Sequence, residues 1–353
     1  MASPSDLPLY DVHAAAGARF GERRGQPVVA SYGDVDGEYA ALRHGAGLLD
    51  LPTRGVLEVA GPVRLKFLQG MLTNDVGGCA PAQGCRAALL SARGAVRALV
   101  RALVDKDVVL LETDFDRVAA LQQGLEFYRV AAPVRFAPRP LAVLALAGRE
   151  AEAVLRRAGV EPPAEPESHA PASLGGQPVR VARAGDLPGA GFVLHATPEG
   201  ACGVWDALAR SGARPVGLDA LDVRRVEALR PWWGDDVAED NLLHETGLVP
   251  EIVSFHKGCY VGQEIVARLD ARGGHVNKAL RGLRPEAPLA PGAAVTVGGK
   301  SVGRVTTAGA SPLLGPIALA YVHRDHFGAG TVVEAEGRPA TVVTSFEDAG
   351  ATG

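Results

Sequence analysis

The pattern of apolar and polar positions along the chain predicts a mixture of helices and strands. Two apolar runs at 95–104 and 108–112, joined by a short acidic and basic turn, predict a β-hairpin. Apolar residues spaced three and four apart predict helices at 61–71, 114–125, 200–210 and 217–229. Thr113 and Asp114 are expected to cap the second of these helices. Because helices and hairpins are interspersed, an α+β fold is favoured over a doubly wound parallel sheet.

The pattern changes near residue 278, where short β-type runs alternate with Gly and Pro. These runs lie at 293–297, 301–307, 317–322, 331–334 and 340–344. Such a series is typical of a small all-β barrel. We therefore predict an α+β region of two subdomains at 1–277 and a C-terminal β-barrel domain at 278–353.

Composition narrows the classes of protein that fit this pattern. Of the 353 residues, 47% are apolar and 22% are charged, as in ordinary globular proteins. The net charge of −4 gives no basic field, so no direct nucleic-acid partner is expected. The N-terminus lacks a basic segment followed by an apolar core, and no apolar run is long enough to span a bilayer. We therefore expect a cytoplasmic protein without a membrane partner.

The chain has four cysteines: Cys79, Cys85, Cys202 and Cys259. Their spacing is typical neither of a zinc site nor of a disulfide framework, so no stable metal is expected. Cys79 and Cys85 either meet in a hairpin or are two buried small residues, and the second interpretation is simpler. Cys259 differs because His256 and Lys257 precede it and a helix is predicted after it. These features favour a thiolate, so Cys259 is the candidate catalytic thiol and Lys257 the group that tunes it.

Cys259 belongs to the densest group of reactive side chains in the chain, residues 256–264, which we call the motif loop. Two glycines, Gly258 and Gly262, permit a tight turn or a close approach to a ligand. Gln263 and Glu264 either cap the following helix or contact a ligand. The motif loop therefore combines a thiol, an ammonium, a phenol and a carboxylate on a turn between two ordered elements.

This stretch carries a specific resemblance to a known family. Lys257–Glu264, followed by Val266-Ala267-Arg268, resembles the signature of YgfZ-type folate-binding proteins, which are related to the aminomethyltransferase (T-protein) of the glycine cleavage system. The resemblance covers nearly the whole chain. It includes the N-terminal pattern 61–75, the helix 217–228 and the C-terminal β-rich segment.

The resemblance implies a fold, a cofactor and partners. The expected architecture is a T-protein-like ring of mixed α/β subdomains with a small C-terminal barrel, binding tetrahydrofolate or a derivative. The side chains expected to contact the folate are Arg225, Glu227, Asn74, Asp75, Tyr260, Gln263 and Glu264. For Arg225 and Glu227, spacing alone instead favours an exposed helix face that forms ion pairs. The implied partners are a reduced folate and iron–sulfur client or assembly proteins, including an enzyme that thiolates tRNA.

Two departures from the T-protein pattern separate the functional hypotheses. T-proteins carry an Asp pair, one of which is catalytic, in a run that here is Gly94-Ala95-Val96-Arg97-Ala98, and a pterin-facing Glu within a run that here is Leu187–Phe192; neither run of this chain contains an acid. Aminomethyl transfer would lack its proton handling. The leading hypothesis is therefore an accessory protein that supports iron–sulfur enzymes rather than a classical turnover enzyme. The alternatives are a tetrahydrofolate-dependent aminomethyltransferase or demethylase-like enzyme, and a binding module in which Cys259 is inert.

Overall fold

The structure, a computed structural model, describes residues 3–346. Within this range the chain forms two compact units. The first contains residues up to 90, 97–221 and 251–261, and the second contains 91–96, 222–250 and residues from 262 onwards. The chain therefore passes from the first unit to the second inside the motif loop, between Val261 and Gly262.

Strands make up most of the regular structure. In the described residues they are β1 Arg19–Arg23, β2 Gln26–Ser31, β3 Gly47–Asp50, β4 Arg54–Ala60, β5 Gly84–Leu90, β6 Val96–Val104, β7 Val108–Asp114, β8 Arg135–Arg139, β9 Ala142–Gly148, β10 His169–Leu174, β11 Gln177–Arg183, β12 Ala190–Ala196, β13 Arg214–Pro215, β14 Lys278–Pro285, β15 Ala294–Val297, β16 Lys300–Ser311, β17 Gly315–His323, β18 Val332–Ala335 and β19 Arg338–Val343. The helices there are α1 Tyr10–Ala15, α2 Val35–His44, α3 Arg64–Gln69, α4 Val118–Arg129, α5 Ala151–Arg157, α6 Ala201–Arg210, α7 Leu218–Glu227, α8 Val249–Ile252 and α9 Gln263–Ala271.

A six-stranded sheet in the first unit has the order β10-β11-β12-β9-β3-β13. Its neighbours pair antiparallel except the short β13, which runs parallel to β3. The central strands β9 and β12 are buried along almost their whole length. Their side chains Leu144, Leu146 and Phe192 share one apolar core with Val154 of α5 and Trp205 of α6. Burial of these large side chains stabilises the sheet against its two helices.

A five-stranded sheet, also in the first unit, has the order β5-β6-β7-β4-β8. Leu57 of β4 and Leu111 of β7 pack with Leu68 of α3 and with Leu121 and Leu125 of α4. The predicted hairpin of β6 and β7 is present, with Arg101 opposite Glu112 and Val104 opposite Val109. Strand β5 of this sheet is bridged to the segment after α3 at Leu72 and Leu89. That segment forms the hydrogen bonds to the motif loop described below.

The second unit contains a closed barrel with the order β14-β17-β16-β15-β18-β19, in which β19 returns to pair with β14. Neighbouring strands of the barrel pair antiparallel. Leu283, Val305, Ala320 and Val342 lie in its core. The predicted α+β fold with a C-terminal β-barrel is confirmed, because each β-type run after residue 278 corresponds to a strand.

The predicted caps of the α4 helix are wrong. Strand β7 continues through Asp114, a 3-10 turn at Phe115–Arg117 follows, and α4 begins at Val118 without a capping side chain. The Thr113 hydroxyl instead donates to the Leu99 carbonyl at 2.7 Å. Asp114 forms ion pairs with Arg24 and Arg54, which are far away in sequence. Tertiary ion pairing has replaced the local cap that the sequence suggested.

Candidate functional site

The N-terminal part of the motif loop is fastened to the segment that follows α3. The Ser254 amide donates to the Thr73 carbonyl at 3.1 Å, and the Val261 amide donates to the Gly70 carbonyl at 3.2 Å. The buried Thr73 hydroxyl donates to the Ile252 carbonyl at 2.6 Å. Because two of these bonds lie just before the loop and the third lies within it at Val261, they fix the backbone on either side of Cys259.

Lys257 is the side chain that holds the centre of the loop. Its ammonium donates to the carbonyl oxygens of Gln69, Leu72 and Asn74 at 2.6, 2.6 and 3.0 Å. An ammonium group has three protons, and each finds one of these acceptors. The Nζ atom also lies 4.9 Å from the ring centroid of the buried Tyr260, within cation–π distance. We call this arrangement of Lys257 and its three carbonyl acceptors the Lys257 clamp.

Burial and a neighbouring carboxylate act in opposite directions on the Lys257 ammonium. Burial lowers the pKa of Lys257 to about 8, while the charge of Asp75 opposes this fall. Lys257 therefore remains mostly charged at neutral pH. Sequence proximity suggested that it tunes Cys259, but its three protons are donated to backbone carbonyls. Activation of Cys259 by Lys257 stays a prediction.

Cys259 is a free, exposed thiol, whereas the other three cysteines are half-buried. A Cβ atom added at the neighbouring Gly258 would meet nothing within 4 Å, so the space beside the thiol is open. Gly262 has φ +82, a conformation that favours glycine, and it forms the N-cap of α9. A partner molecule can therefore reach the Cys259 thiol, as any reaction of this thiol with another molecule requires.

Two further predicted contacts, Asn74 and Asp75, lie within the segment that the clamp holds. The Asn74 amide group donates to the Arg86 carbonyl at 2.8 Å and to the Glu251 carbonyl at 3.4 Å. One Asp75 carboxylate oxygen accepts two hydrogen bonds, from the Gln69 side chain at 2.7 Å and from the Gly78 amide at 3.1 Å. The structure thus brings Asn74 and Asp75 together with Lys257, and their bonds order this segment.

Arg225 and Glu227 occupy a buried polar cluster in the second unit. The Arg225 guanidinium donates to Asp222 and Asp236, at 2.6 and 2.5 Å, and to the Thr307 hydroxyl at 2.9 Å. Although burial alone would lower the pKa of Arg225, the two carboxylates raise it above its ordinary value. The cluster of charges was not expected from the spacing, which suggested an exposed helix face.

Glu227 is likewise engaged with the protein. It accepts from the Ser311 hydroxyl at 2.5 Å and pairs with Arg224. Gln263 is the first residue of α9, and Glu264 is an exposed acid in its first turn, where the helix dipole favours a negative charge. The polar atoms of Arg225, Glu227 and Asn74 are thus directed at protein partners, so their assignment as folate contacts stays a prediction.

A buried charge network in the first unit was missed by the sequence reasoning. Arg101 is 2% exposed and pairs with Glu112, Glu167 and Asp186. The same Glu112 accepts from His195 at 2.8 Å. Charged residues inside the apolar strands β6 and β7 were the available signal. A charge within such a run must find a partner because an unpaired buried charge is very costly.

This network explains why Asp186, the acid that directly precedes the run 187–192 in sequence, is ionised. Burial would raise the pKa of Asp186, but Arg101 and Arg86 hold it below its usual range. Asp186 is therefore an ionised ion-pair partner of Arg101. Arg97, which lies in the run where the resemblance to T-proteins implies a catalytic acid, is exposed on β6. Neither position supplies a carboxylate free to exchange protons.

Across residues 3–346, no group of three or more His, Cys, Asp or Glu side chains is arranged to hold a metal ion. In the same part of the chain, no helix is long and apolar enough to cross a bilayer.

Comparison with known proteins defines the class to which this fold and site belong. The sequence matches the family model for the GCVT N-terminal domain over residues 9–257. It also matches the model for the glycine cleavage T-protein C-terminal barrel domain over residues 278–346. The chain therefore belongs to the glycine cleavage T-protein (GCVT) family, a family that binds tetrahydrofolate.

Individual relatives span nearly the whole chain. It is 32% identical to an aminomethyltransferase of Thermus thermophilus, over 89% of this chain and 90% of the relative. It is 27% identical to a putative chloroplastic transferase of Arabidopsis thaliana, over 94% of this chain and 77% of the relative. The crystal structure of the aminomethyltransferase of Bartonella henselae superimposes with a TM-score of 0.87, at 26% identity and 96% coverage of both chains.

These relatives confirm the predicted kinship with T-proteins. The relatives' names favour the transferase alternative over the iron–sulfur accessory hypothesis. The finer assignment to the YgfZ type rests on the motif loop and remains a prediction.

Proposed function

We propose that this chain is a YgfZ-type, tetrahydrofolate-binding member of the family, in which Cys259 is the functional thiol and supports iron–sulfur enzymes. The observation that carries the proposal is the exposed Cys259 on a loop that the Lys257 clamp holds in place. Holding the backbone while leaving the thiol open suits a group that makes transient contact with another protein. Since a cluster normally uses four protein ligands, any cluster would be a shared, passing cargo.

Folate binding is inferred from membership of the family. Only some of the side chains that were predicted to contact the folate are accessible to a ligand. Arg225, Glu227 and Asn74 are engaged with protein partners, whereas Asp75 and Glu264 are exposed carboxylates. When bound, a reduced folate would supply a carrier for one-carbon units. The chain's own contribution in this proposal is the positioned thiol.

A tetrahydrofolate-dependent aminomethyltransferase or demethylase-like enzyme is the second candidate. It is favoured by the overall similarity to aminomethyltransferases. Against it stand Arg97 at the place of the catalytic acid and the pairing of Asp186 with Arg101. An enzyme of this kind needs a group that moves a proton during transfer.

Deleting the gene and rescuing it with variants tests the accessory function. We expect iron–sulfur enzyme activities to fall on deletion, to return with the wild-type gene or with Cys202→Ala, and not to return with Cys259→Ala. Cys202 is the matched control because it is a free but half-buried cysteine. Normal activities in the deletion, or full rescue by Cys259→Ala, would contradict the proposal.

A turnover assay separates the second candidate. Purified protein is mixed with tetrahydrofolate and an aminomethylated lipoyl carrier, and formation of methylenetetrahydrofolate is followed. No turnover above background is expected. Turnover that survives Cys259→Ala would establish the transferase and remove the need for the thiol. Binding of tetrahydrofolate is measured separately by calorimetry, so that a lack of turnover is not confused with a lack of binding.

A further inference from the structure

Cys79 and Cys85 lie on either side of a fastened turn in the first unit. Cys79 follows the 3-10 turn Val76–Gly78, and Cys85 is the second residue of β5. Between them the Gln83 amide donates to the Ala80 carbonyl at 3.0 Å, and the Ala80 amide donates to the Gln83 side chain at 2.9 Å. These reciprocal bonds bring the chain back on itself, so the two cysteines face each other.

The two thiols are each other's main electrostatic neighbours, and both pack against the apolar core that contains side chains of α3 and β5. The Cys79 thiol also donates to the Asp75 carbonyl at 3.5 Å. Their place on the two arms of one turn favours the interpretation in which Cys79 and Cys85 meet in a hairpin. Both are free and half-buried, and the turn residues Ala80–Gln83 between them are exposed. A small reagent can therefore approach the pair.

The pair is chemically asymmetric. The hydrogen bond from Cys85 lowers the pKa of Cys79, whereas the same bond, together with burial, raises the pKa of Cys85. The Lys257 charge acts on Cys85 in the opposite direction, lowering its pKa. A thiolate attacks disulfides and a thiol does not, so this arrangement assigns Cys79 as the attacking sulfur and Cys85 as the resolving one.

We propose that Cys79 and Cys85 form a reversible dithiol–disulfide site, oxidised by low-molecular-weight disulfides such as glutathione disulfide. The Cys79 thiolate attacks one sulfur of the small disulfide, forming a mixed disulfide and releasing one thiolate, which takes a proton from water. Cys85 then loses its proton to water, and its thiolate attacks the Cys79 sulfur and releases the second small thiolate. Two protein thiols become one disulfide while one small disulfide becomes two thiols, a balanced two-electron exchange.

Peptide mapping tests this proposal directly. Tryptic cleavage after Lys66 and Arg86 releases the peptide 67–86, which contains both cysteines. In full-length Cys259→Ser protein, which lacks the exposed thiol, treatment with glutathione disulfide should remove two hydrogen atoms from this peptide. Cys202, whose pKa is raised by burial, is the internal control and should react at least about ten-fold more slowly.

Single substitutions then assign the roles. Cys85→Ser should stop at a glutathionyl adduct on Cys79, because the resolving sulfur is missing. Cys79→Ser should leave Cys85 reduced over the same period. The proposal is overturned if the peptide from Cys259→Ser protein keeps two alkylatable thiols, or if the adduct in single variants forms on Cys85 in preference to Cys79. The peptide mapping of Cys259→Ser protein changes neither cysteine of the pair, so its result does not depend on whether the Cys79 and Cys85 variants fold correctly.

Discussion

Replacing Lys257 by methionine removes the ammonium of the Lys257 clamp while keeping most of the apolar stem. Hydrogen bonds to charged groups contribute about 1.5–3 kcal/mol each, so three bonds give roughly 4.5–9 kcal/mol before costs. The fall in the Lys257 pKa from 10.5 to about 8 measures the cost of burying the charge. That cost is at most ~3.4 kcal/mol, and solvent screening of this half-buried group reduces it to roughly half.

Water reaches the half-buried clamp and will replace part of what the variant loses. We therefore expect Lys257→Met to destabilise the motif loop by about 2–3 kcal/mol. The reporters are the amides of Ser254 and Val261, whose hydrogen bonds to Thr73 and Gly70 fasten the loop. A loss of about 2 kcal/mol corresponds to roughly 30-fold faster hydrogen exchange at these amides.

Native-state hydrogen exchange, followed by mass spectrometry, measures this effect locally. Lys300→Met is the matched control, since Lys300 is an exposed lysine at the start of β16 and should leave exchange at the loop unchanged. If Ser254 and Val261 exchange at the wild-type rate in Lys257→Met, the clamp does not hold the loop and the reasoning fails. Faster exchange throughout the first unit would instead indicate general unfolding.

Three other substitutions have defined expectations. Arg101→Met should destabilise the protein by about 3–5 kcal/mol, because it strips the buried carboxylates of Glu112 and Glu167 and the half-buried one of Asp186 of their shared partner. Arg97→Met on the same strand should change urea stability by less than ~0.5 kcal/mol, and equal effects would contradict the network. Arg101 and its neighbours hold the Glu112 pKa below its usual value despite burial, so this carboxylate stabilises the fold at pH values above about 4.3 and loses that effect on further acidification. Urea midpoints of wild type and Glu112→Gln should therefore differ by a constant amount above about pH 4.3 and move together as the pH falls further below it, and a difference that stays constant down to about pH 3 would refute the pKa direction. Gly262→Ala, at positive φ, should cost about 1–2 kcal/mol in thermal unfolding, while Gly258→Ala, with open space around its Cβ, should be close to neutral; similar losses would show that backbone strain is not the cause.

The sequence predicted the parts of the fold that local patterns control. Apolar, β-type runs bounded by turn residues identified the β6–β7 hairpin and the barrel strands, because strand-forming residues and turn residues are local features of the sequence. The Asp114 cap was wrong for the opposite reason. Its carboxylate pairs with Arg24 and Arg54, and no local window contains those partners.

In the candidate site, too, local features were predicted from the sequence and long-range contacts were not. Cys259 was identified because its sequence neighbours are unusual, and the structure shows it exposed on the loop. The target of Lys257 was not foreseen, since the ammonium reaches back nearly two hundred residues to the carbonyls of Gln69, Leu72 and Asn74. Arg101 and Asp186 lie 85 positions apart, and only folding brings them together.

The three acceptors of the Lys257 ammonium are main-chain oxygens, and this has a consequence for how related sequences diverge. A carbonyl oxygen is present whatever the side chain, so positions 69, 72 and 74 can change without loss of the clamp. The lysine has no such freedom. Among related proteins the clamp should therefore appear as an invariant lysine without co-varying partners, and methods that infer contacts from correlated substitutions will not detect it.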